Sequence, residues 1–118
     1  MTNYRTGTRL EYDVQRRLRD AGCVMVLRSA GSRGPFDLLA LRNNRPPLLV
    51  QCKIDRHRTS LREWCDLYEI AVLTNCVPVI ADRSGPRRAP RLWTVAAQRP
   101  EYGHADEYLL TLPWDDVA

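Results

Sequence analysis

The spacing of apolar residues in the first half of the chain predicts a helix followed by three strands. Leu10, Val14 and Leu18 recur every four residues, as on the buried face of an amphipathic helix. This helix is predicted over residues 8–21, because Gly22 is a natural helix stop. Three short apolar runs, separated by turns rich in Gly, Ser, Asn and Pro, predict strands over residues 23–27, 36–41 and 48–53.

The second half of the chain predicts another helix and further strands. Ser60 and Glu63 form a capping box, in which each side chain accepts a hydrogen bond from a backbone N–H at the start of a helix. This helix is predicted to run to about Thr74. Further apolar runs predict two strands and a short last one over residues 77–81, 92–96 and 108–112. The order of elements is typical of an α/β fold, in which a small sheet is flanked by helices.

Length and hydrophobicity limit the class of protein. A chain of 118 residues is long enough for one hydrophobic core but not for two, so a single domain is expected. None of the apolar runs approaches the roughly 20 residues that span a bilayer, and no secretory signal is recognisable. We therefore expect a soluble, cytoplasmic protein with no membrane partner.

The cysteines do not have the spacing of metal ligands. No C-x-x-C pair occurs, and no histidine lies at zinc-finger spacing. The four residues all lie in or beside apolar segments: Cys23, Cys52, Cys65 and Cys76. They are expected to be reduced side chains that pack as small hydrophobes.

Charge is distributed unevenly along the chain. All 18 Lys and Arg residues lie in residues 1–99 with nine acids, which gives +9, whereas residues 100–118 contain five acids and no base, which gives −5. A basic body of this kind favours a polyanionic partner, most simply nucleic acid. A compositional preference for arginine on a solvated surface is the alternative.

Two strands carry the candidate chemistry. Lys53 is the one lysine of the chain, beside seventeen arginines, and its compact ammonium can contact a water or phosphate as a point charge. Asp37 lies within the preceding predicted strand. Because side chains alternate along a strand, Gln51 and Lys53 would share one face while Cys52 points away. With Glu11 on the first helix, these oxygen ligands and one cation suit metal-dependent hydrolysis of a phosphodiester.

Each of these residues also has a plain structural explanation. Asp37 could be an edge or turn residue, and Glu11 could be a solvated helix residue. Lys53 could be a strand-end charge that prevents edge pairing. Their order and spacing together favour the nuclease interpretation.

That order resembles a known family. The pattern Glu11, Asp37, Gln51-x-Lys53 is similar to the PD-(D/E)xK nuclease superfamily, and more closely to the archaeal-type Holliday junction resolvases. Four segments carry the resemblance: residues 7–11, 28–34, 36–40 and 50–53. It extends over residues 5 to about 82, and the stretch Arg28-Ser29-Ala30-Gly31-Ser32 is its most specific part.

The resemblance implies a fold, an activity and partners. The fold would be restriction-endonuclease-like, with a mixed central sheet flanked by helices. The activity would be Mg²⁺-dependent cleavage of DNA, with Mn²⁺ as a possible substitute and no small-molecule cofactor. Such enzymes are homodimers whose two active sites nick opposed strands of a four-way junction.

Residue roles follow from the same resemblance. Glu11, Asp37 and Gln51 would bind the metal. Lys53 would orient or activate the water, and Ser32 would complete the catalytic set close to the junction phosphates. The residues expected to contact DNA are Arg9, Arg28, Ser29, Arg33, Arg56, Arg58 and Arg62. A second basic segment at residues 83–91 either grips another junction arm or is a solvated turn.

Three features depart from the family pattern. The family usually has Glu where this chain has Gln51, which keeps an oxygen ligand but removes a charge. It also tends to carry a basic residue where this chain has Tyr12. The acidic segment 100–118 has no counterpart.

Three other functions remain open on these residues. The chain could be another nuclease of the superfamily that cuts ordinary duplex. It could be a junction-binding protein that lost catalysis through Gln51. It could also be an arginine-rich protein that binds protein or RNA, although strong salt dependence of DNA binding would argue against this.

Overall fold

Two helices and five strands make up the described part of the molecule. The computed structural model describes residues 3–29, 34–55, 59–83 and 88–97, with side chains from residue 7 onward. The elements in chain order are α1 (Asn3–Asp20), β1 (Met25–Arg28), β2 (Leu38–Arg42), β3 (Arg45–Cys52), α2 (Leu61–Leu73), β4 (Val77–Asp82) and β5 (Arg91–Thr94). The α/β organisation predicted from the sequence is therefore confirmed.

The strands form one mixed sheet in the order β1-β2-β3-β4-β5. Strands β1, β2 and β3 are antiparallel neighbours, β3 and β4 are parallel, and β5 is antiparallel to β4. Parallel neighbours need a crossover, and α2 provides it. The middle strand β3 thus has a partner on each side, and its C-terminal end lies within the sheet rather than at an edge.

Two hydrophobic cores cover the two faces of the sheet. The α1-side core joins helix residues such as Leu10, Val14 and Leu18 to strand residues including Val50 and Val79. The α2-side core contains the strand residues that alternate with these and the apolar face of α2: Leu49, Ile80, Trp64, Leu67 and Ala71. Because neighbouring strand residues point to opposite faces, β3 and β4 are buried on both sides.

Some boundaries differ from the sequence predictions. Helix α1 begins at Asn3 rather than residue 8, because its first turn is polar and has no apolar period to reveal it. Strand β3 begins at Arg45, within a segment predicted to be a turn, and includes Pro46 and Pro47. Pairing of β3 with β4 starts only at Leu48, so the missing proline N–H groups leave no gap on that side.

The predicted capping box of α2 is present. Ser60 Oγ accepts a hydrogen bond from the Glu63 N–H (3.1 Å), and Glu63 Oε1 accepts one from the Ser60 N–H (3.0 Å). One turn further on, the buried Trp64 donates from Nε1 to the carbonyl oxygen of Ala96 (2.7 Å). The start of α2 is therefore fixed both by its own cap and by the segment that follows β5.

The cysteines have no covalent partners. All four are free thiols. Cys23 is buried, and the other three are partly exposed; of these, Cys52 and Cys76 still pack against the hydrophobic cores. Burial raises the pKa of the Cys52 thiol well above its ordinary value, which makes that thiol unreactive.

Two predicted features lie outside the described residues, namely the last strand at 108–112 and the acidic segment 100–118. Within the described ranges, no helix is long and apolar enough to cross a membrane.

Removal of one leucine from α2 should weaken the α2-side core. Leu67 is 1% exposed, so we expect Leu67→Ala to reduce the free energy of unfolding by about 2–5 kcal/mol. Leu73 lies in the same helix but is 82% exposed, and Leu73→Ala should change that free energy by less than about 0.5 kcal/mol. Urea denaturation of both variants would measure the difference, and equal losses would contradict this assignment of the core.

Candidate functional site

Asp37 lies at the end of the sheet where β2 begins and β3 ends. Its backbone N–H donates to the carbonyl oxygen of Val50 (2.8 Å), which extends the β2–β3 pairing by one residue. Its carboxylate oxygen Oδ2 accepts hydrogen bonds from the backbone N–H of Cys52 (2.8 Å) and from Gln51 Nε2 (3.1 Å). The carboxylate is therefore fixed against the end of β3.

Gln51 and Lys53 lie on the face of the sheet that packs against α2. Leu49, two residues before Gln51, belongs to the α2-side core, whereas Cys52 packs against the α1-side core. The Lys53 ammonium donates a hydrogen bond to Glu63 Oε2 in the first turn of α2. The alternation predicted for this strand is thus confirmed.

Glu11 on α1 is the second acid near Asp37. Burial raises the pKa of Glu11, the charge of Asp37 raises it further, and Arg28 lowers it. Arg28 forms an ion pair with Glu11 at 3.2 Å from Nη2 to Oε1. The guanidinium also lies over the Tyr12 ring, 5.9 Å from its centre. Tyr12, which stands where the family tends to carry a basic residue, thus helps to hold Arg28 beside Glu11.

The Asp37 carboxyl is in an environment that disfavours its charge. Burial is the largest cause and raises its pKa, and the charge of Glu63 acts in the same direction. The hydrogen bond from Cys52 and the charges of Lys53 and Arg28 oppose this but do not reverse it. A bound cation would relieve the cost of two neighbouring carboxylates in a partly buried site.

Glu63 and Lys53 form a second charged pair in the site. Burial alone would raise the pKa of Glu63, but hydrogen bonds from Lys53 and Ser60, together with the charge of Lys53, lower it. The Lys53 side chain is 23% exposed and that of Glu63 is 42% exposed. The pair is therefore partly accessible to solvent.

The donor atoms of the site fit a magnesium ion. Glu11 and Asp37 offer carboxylate oxygens, and Gln51 offers an amide oxygen while its Nε2 is bonded to Asp37. Mg²⁺ usually binds one or two carboxylates and completes its shell with water and substrate phosphates. Among the described residues, no three His, Cys, Asp or Glu side chains form a group that could hold a metal ion. Such an ion would therefore depend on the amide oxygen and on nonprotein ligands.

The residues predicted to contact DNA fall into three groups. Arg9, Arg28 and Arg62 are exposed, and Arg62 forms a distant pair with Asp66, at 3.9 Å. Ser29 is half-buried, and its N–H donates to the carbonyl oxygen of Asp37 (2.8 Å). The other three, Arg33, Arg56 and Arg58, lie outside the described parts of the chain, as does Ser32 of the predicted catalytic set.

Two arginines of the second basic segment stabilise the fold. Arg83 pairs with Asp13 of α1 at 2.9 Å. Arg91 donates two hydrogen bonds to the buried carboxylate of Asp82, which also accepts one from Trp93. These contacts link β4 to α1 and to β5. A role in gripping DNA would therefore fall on other residues of this segment.

One solved structure connects this fold with a known activity. The chain is similar to a Holliday junction resolvase. That protein is Hjc from Archaeoglobus fulgidus, a resolvase from an archaeal hyperthermophile. The two chains are 29% identical, the match covers 81% of this chain and 79% of Hjc, and the TM-score is 0.65. No protein-family model and no curated protein matches this sequence.

The likeness to Hjc supports the fold inferred from the sequence. The five-stranded mixed sheet with its two helices matches the restriction-endonuclease-like α/β fold of Hjc. The sequence resemblance to archaeal resolvases is thus supported at the level of the fold, whereas the assignments to single residues stay predictions.

Sequence reasoning missed Glu63 as part of the site. It was assigned only to the cap of α2, although the capping box begins shortly after Lys53 and places an acid at the first helical turn. That proximity in sequence was the available signal. The pairing of Arg28 with Glu11 was also not anticipated, since it joins a strand end to a helix.

Proposed function

We propose that this protein is a metal-dependent, structure-selective DNA endonuclease that resolves four-way junctions. The observation that carries the proposal is the arrangement of Asp37, Gln51 and Lys53 at the end of β3. Glu11 of α1 lies close enough to Asp37 for the charge of Asp37 to raise the pKa of Glu11. The fold that holds this arrangement is similar to that of an archaeal resolvase. The net charge of +9 over residues 1–99 suits a polyanionic substrate.

The metal site would be built from three side chains. Glu11 and Asp37 would bind Mg²⁺ through carboxylate oxygens, and Gln51 would bind through its amide oxygen. When bound, the metal would polarise the scissile phosphate and lower the pKa of an attacking water. The hydrogen bond from Gln51 Nε2 to Asp37 keeps these two side chains together without the repulsion that a second carboxylate would cause. Because Gln51 is neutral where the family usually has Glu, the metal should also bind less tightly.

Lys53 would supply the positive charge on the other side of the phosphate. Its ammonium lies on the same face as Gln51, is partly exposed and donates to Glu63. From there it would orient the water and stabilise negative charge that develops on the phosphate. Arg9, Arg28 and Arg62 would contact the DNA backbone. Such contacts read the shape of the junction rather than its sequence.

A homodimer would explain paired symmetrical nicks. Two copies related by a twofold axis present two equal sites, which matches the symmetry of a four-way junction. This assembly is part of the proposal, and the molar mass of the protein with and without junction DNA would test it.

Cleavage of an immobile four-way junction would test the proposed function. We expect wild-type protein with Mg²⁺ or Mn²⁺ to cut opposed strands symmetrically, and to prefer the junction over linear duplex of equal length by about tenfold or more, equivalent to about 1.4 kcal/mol. Chelation of the metal should stop cleavage. Equal cleavage of both substrates would instead indicate a duplex nuclease. Tight, salt-dependent binding with no cleavage in either metal would indicate a junction-binding protein with an inactive site.

A further inference from the structure

Lys53 is paired with an acid that lies outside the strand motif. Its ammonium donates to Glu63 Oε2, and the two residues belong to successive elements, the end of β3 and the first turn of α2. The family pattern would place an acid at position 51, two residues before the lysine, but this chain has Gln51 there. The carboxylate that Lys53 contacts thus comes from the helix.

The two oxygens of Glu63 have different partners. Oε1 accepts from the backbone N–H of Ser60, which closes the capping box, while Oε2 binds Lys53. Ser60 Oγ accepts in return from the backbone N–H of Glu63, so the carboxylate itself is attached to the helix start through Oε1. Its position is therefore determined by the backbone of α2 and not by a freely rotating side chain.

We infer that Glu63 is a positioning residue that holds the Lys53 ammonium toward the site, so that the start of α2 determines where this cation lies. The inference rests on the proposed nuclease function. It assigns to α2 a role in catalysis that acts through Lys53, without contact between Glu63 and DNA. A lysine held in this way is aligned before the substrate arrives, which avoids the cost of ordering a long flexible side chain during the reaction.

Two substitutions separate positioning from capping. Glu63→Gln keeps an oxygen that can accept from the Ser60 N–H, since Gln also completes a capping box, but it removes the charge that binds Lys53. Ser60→Ala removes the hydroxyl that caps the helix and leaves the carboxylate of Glu63 in place. The first variant should reduce catalysis, and the second should reduce thermal stability alone.

The kinetic test measures kcat and KM for junction cleavage. We expect Glu63→Gln to lower kcat by about 100-fold, the cost of misplacing a catalytic group by about 1 Å, while KM stays within about twofold because DNA contacts are retained. Ser60→Ala should leave both constants close to wild type at a temperature where it is folded. Equal kcat values for Glu63→Gln and wild type would overturn the inference, as would equal losses for both variants.

A second measurement reports the contact without relying on activity. Because Lys53 is the one lysine of the chain, selective labelling with ¹³C and ¹⁵N lysine gives one set of side-chain signals, all from Lys53, in NMR spectra. We expect Glu63→Gln to shift the Lys53 Nζ and Cε resonances, and Ser60→Ala to leave them unchanged. Signals that Glu63→Gln does not move would overturn the contact and the inference with it.

The two measurements also distinguish failure of the proposed nuclease function from failure of the positioning role of Glu63. If wild-type protein cleaves no junction or duplex, the nuclease proposal falls, and the catalytic role of Glu63 falls with it, while the Lys53 signal still reports the contact. If wild type cleaves and the Lys53 signal shifts but kcat does not change, the nuclease proposal stands and the positioning role is rejected.

Discussion

Asp37→Asn should abolish junction cleavage while junction binding persists. Asp37 is the carboxylate held at the end of β3 by Cys52 and Gln51, and it would be a direct metal ligand. An amide in its place leaves Glu11 as the single charged ligand, so we expect the cleavage rate to fall by about 10³-fold or more, comparable to the loss of a main electrostatic group in an active site. Single-turnover cleavage in Mg²⁺ would measure the rate, and a gel-shift titration in Ca²⁺ would measure junction affinity.

The stability of the same variant provides its control. Burial raises the pKa of Asp37, which means that the folded protein disfavours the charged carboxylate relative to the unfolded chain. Neutral Asn removes this penalty, and its side-chain oxygen can still accept from the Cys52 N–H. The melting temperature of Asp37→Asn should therefore equal or exceed that of wild type. A large drop would show that lost folding, and not a lost ligand, explains inactivity, while undiminished cleavage would remove Asp37 from the metal site.

The second large effect is expected for Lys53→Met. This change keeps an unbranched side chain of similar length and removes its charge, so we expect kcat to fall by about 10²–10³-fold, the range seen when one charge-stabilising group is deleted. Junction affinity should change little, because the substitution removes only one of the 18 Lys and Arg residues. Glu63 would lose its partner, but its side chain is 42% exposed and can be solvated, so folding should be retained.

A substitution of Lys53 by arginine would show whether charge alone is enough at position 53. Lys53→Arg keeps the charge, yet a planar guanidinium cannot take the place of a compact ammonium, and we expect this variant to lose most of the activity as well. Full activity of Lys53→Met would reject the role proposed for Lys53.

Arg62→Met should have the opposite effect, because Arg62 is highly exposed on α2 and would contact only the backbone of DNA. It should weaken DNA binding and reduce the salt dependence of binding without lowering kcat.

Local sequence signals identified most of the fold because they act within single elements. The period of Leu10, Val14 and Leu18 reveals the buried face of α1, and the capping box at Ser60 marks the start of α2. Boundaries were less accurate where an element carries no apolar pattern, as in the first turn of α1. The start of β3 was also predicted too late, because Pro46 was assigned to a turn. Proline is tolerated there since β3 pairs with β4 only from Leu48 onward.

The sequence singled out Glu11, Asp37, Gln51 and Lys53 as candidates, but it did not reveal the contacts that these side chains make. Strand alternation places Gln51 and Lys53 on one face from sequence alone. The partners of the charged groups depend on how helices approach the sheet, which no local pattern specifies. The pairs of Arg28 with Glu11 and of Lys53 with Glu63 are therefore properties of the folded chain, visible only when α1 and α2 are in place.

The hairpin between β2 and β3, with its turn and the register shift between Ala40 and Arg42, helps to determine which side chains reach the site. Arg42 pairs with Arg45 across Asn43 and Asn44, and Asn44 has a φ of 58°, a backbone conformation that Asn tolerates better than most residues. The apolar residues of β3 at 48–50 are buried on both faces, so they would fit either orientation of the strand. A shift of one residue would turn Gln51 and Lys53 away from the site and bring Cys52 in. Insertions or deletions in this hairpin, which carries no chemistry itself, should therefore abolish the proposed cleavage while leaving a folded protein.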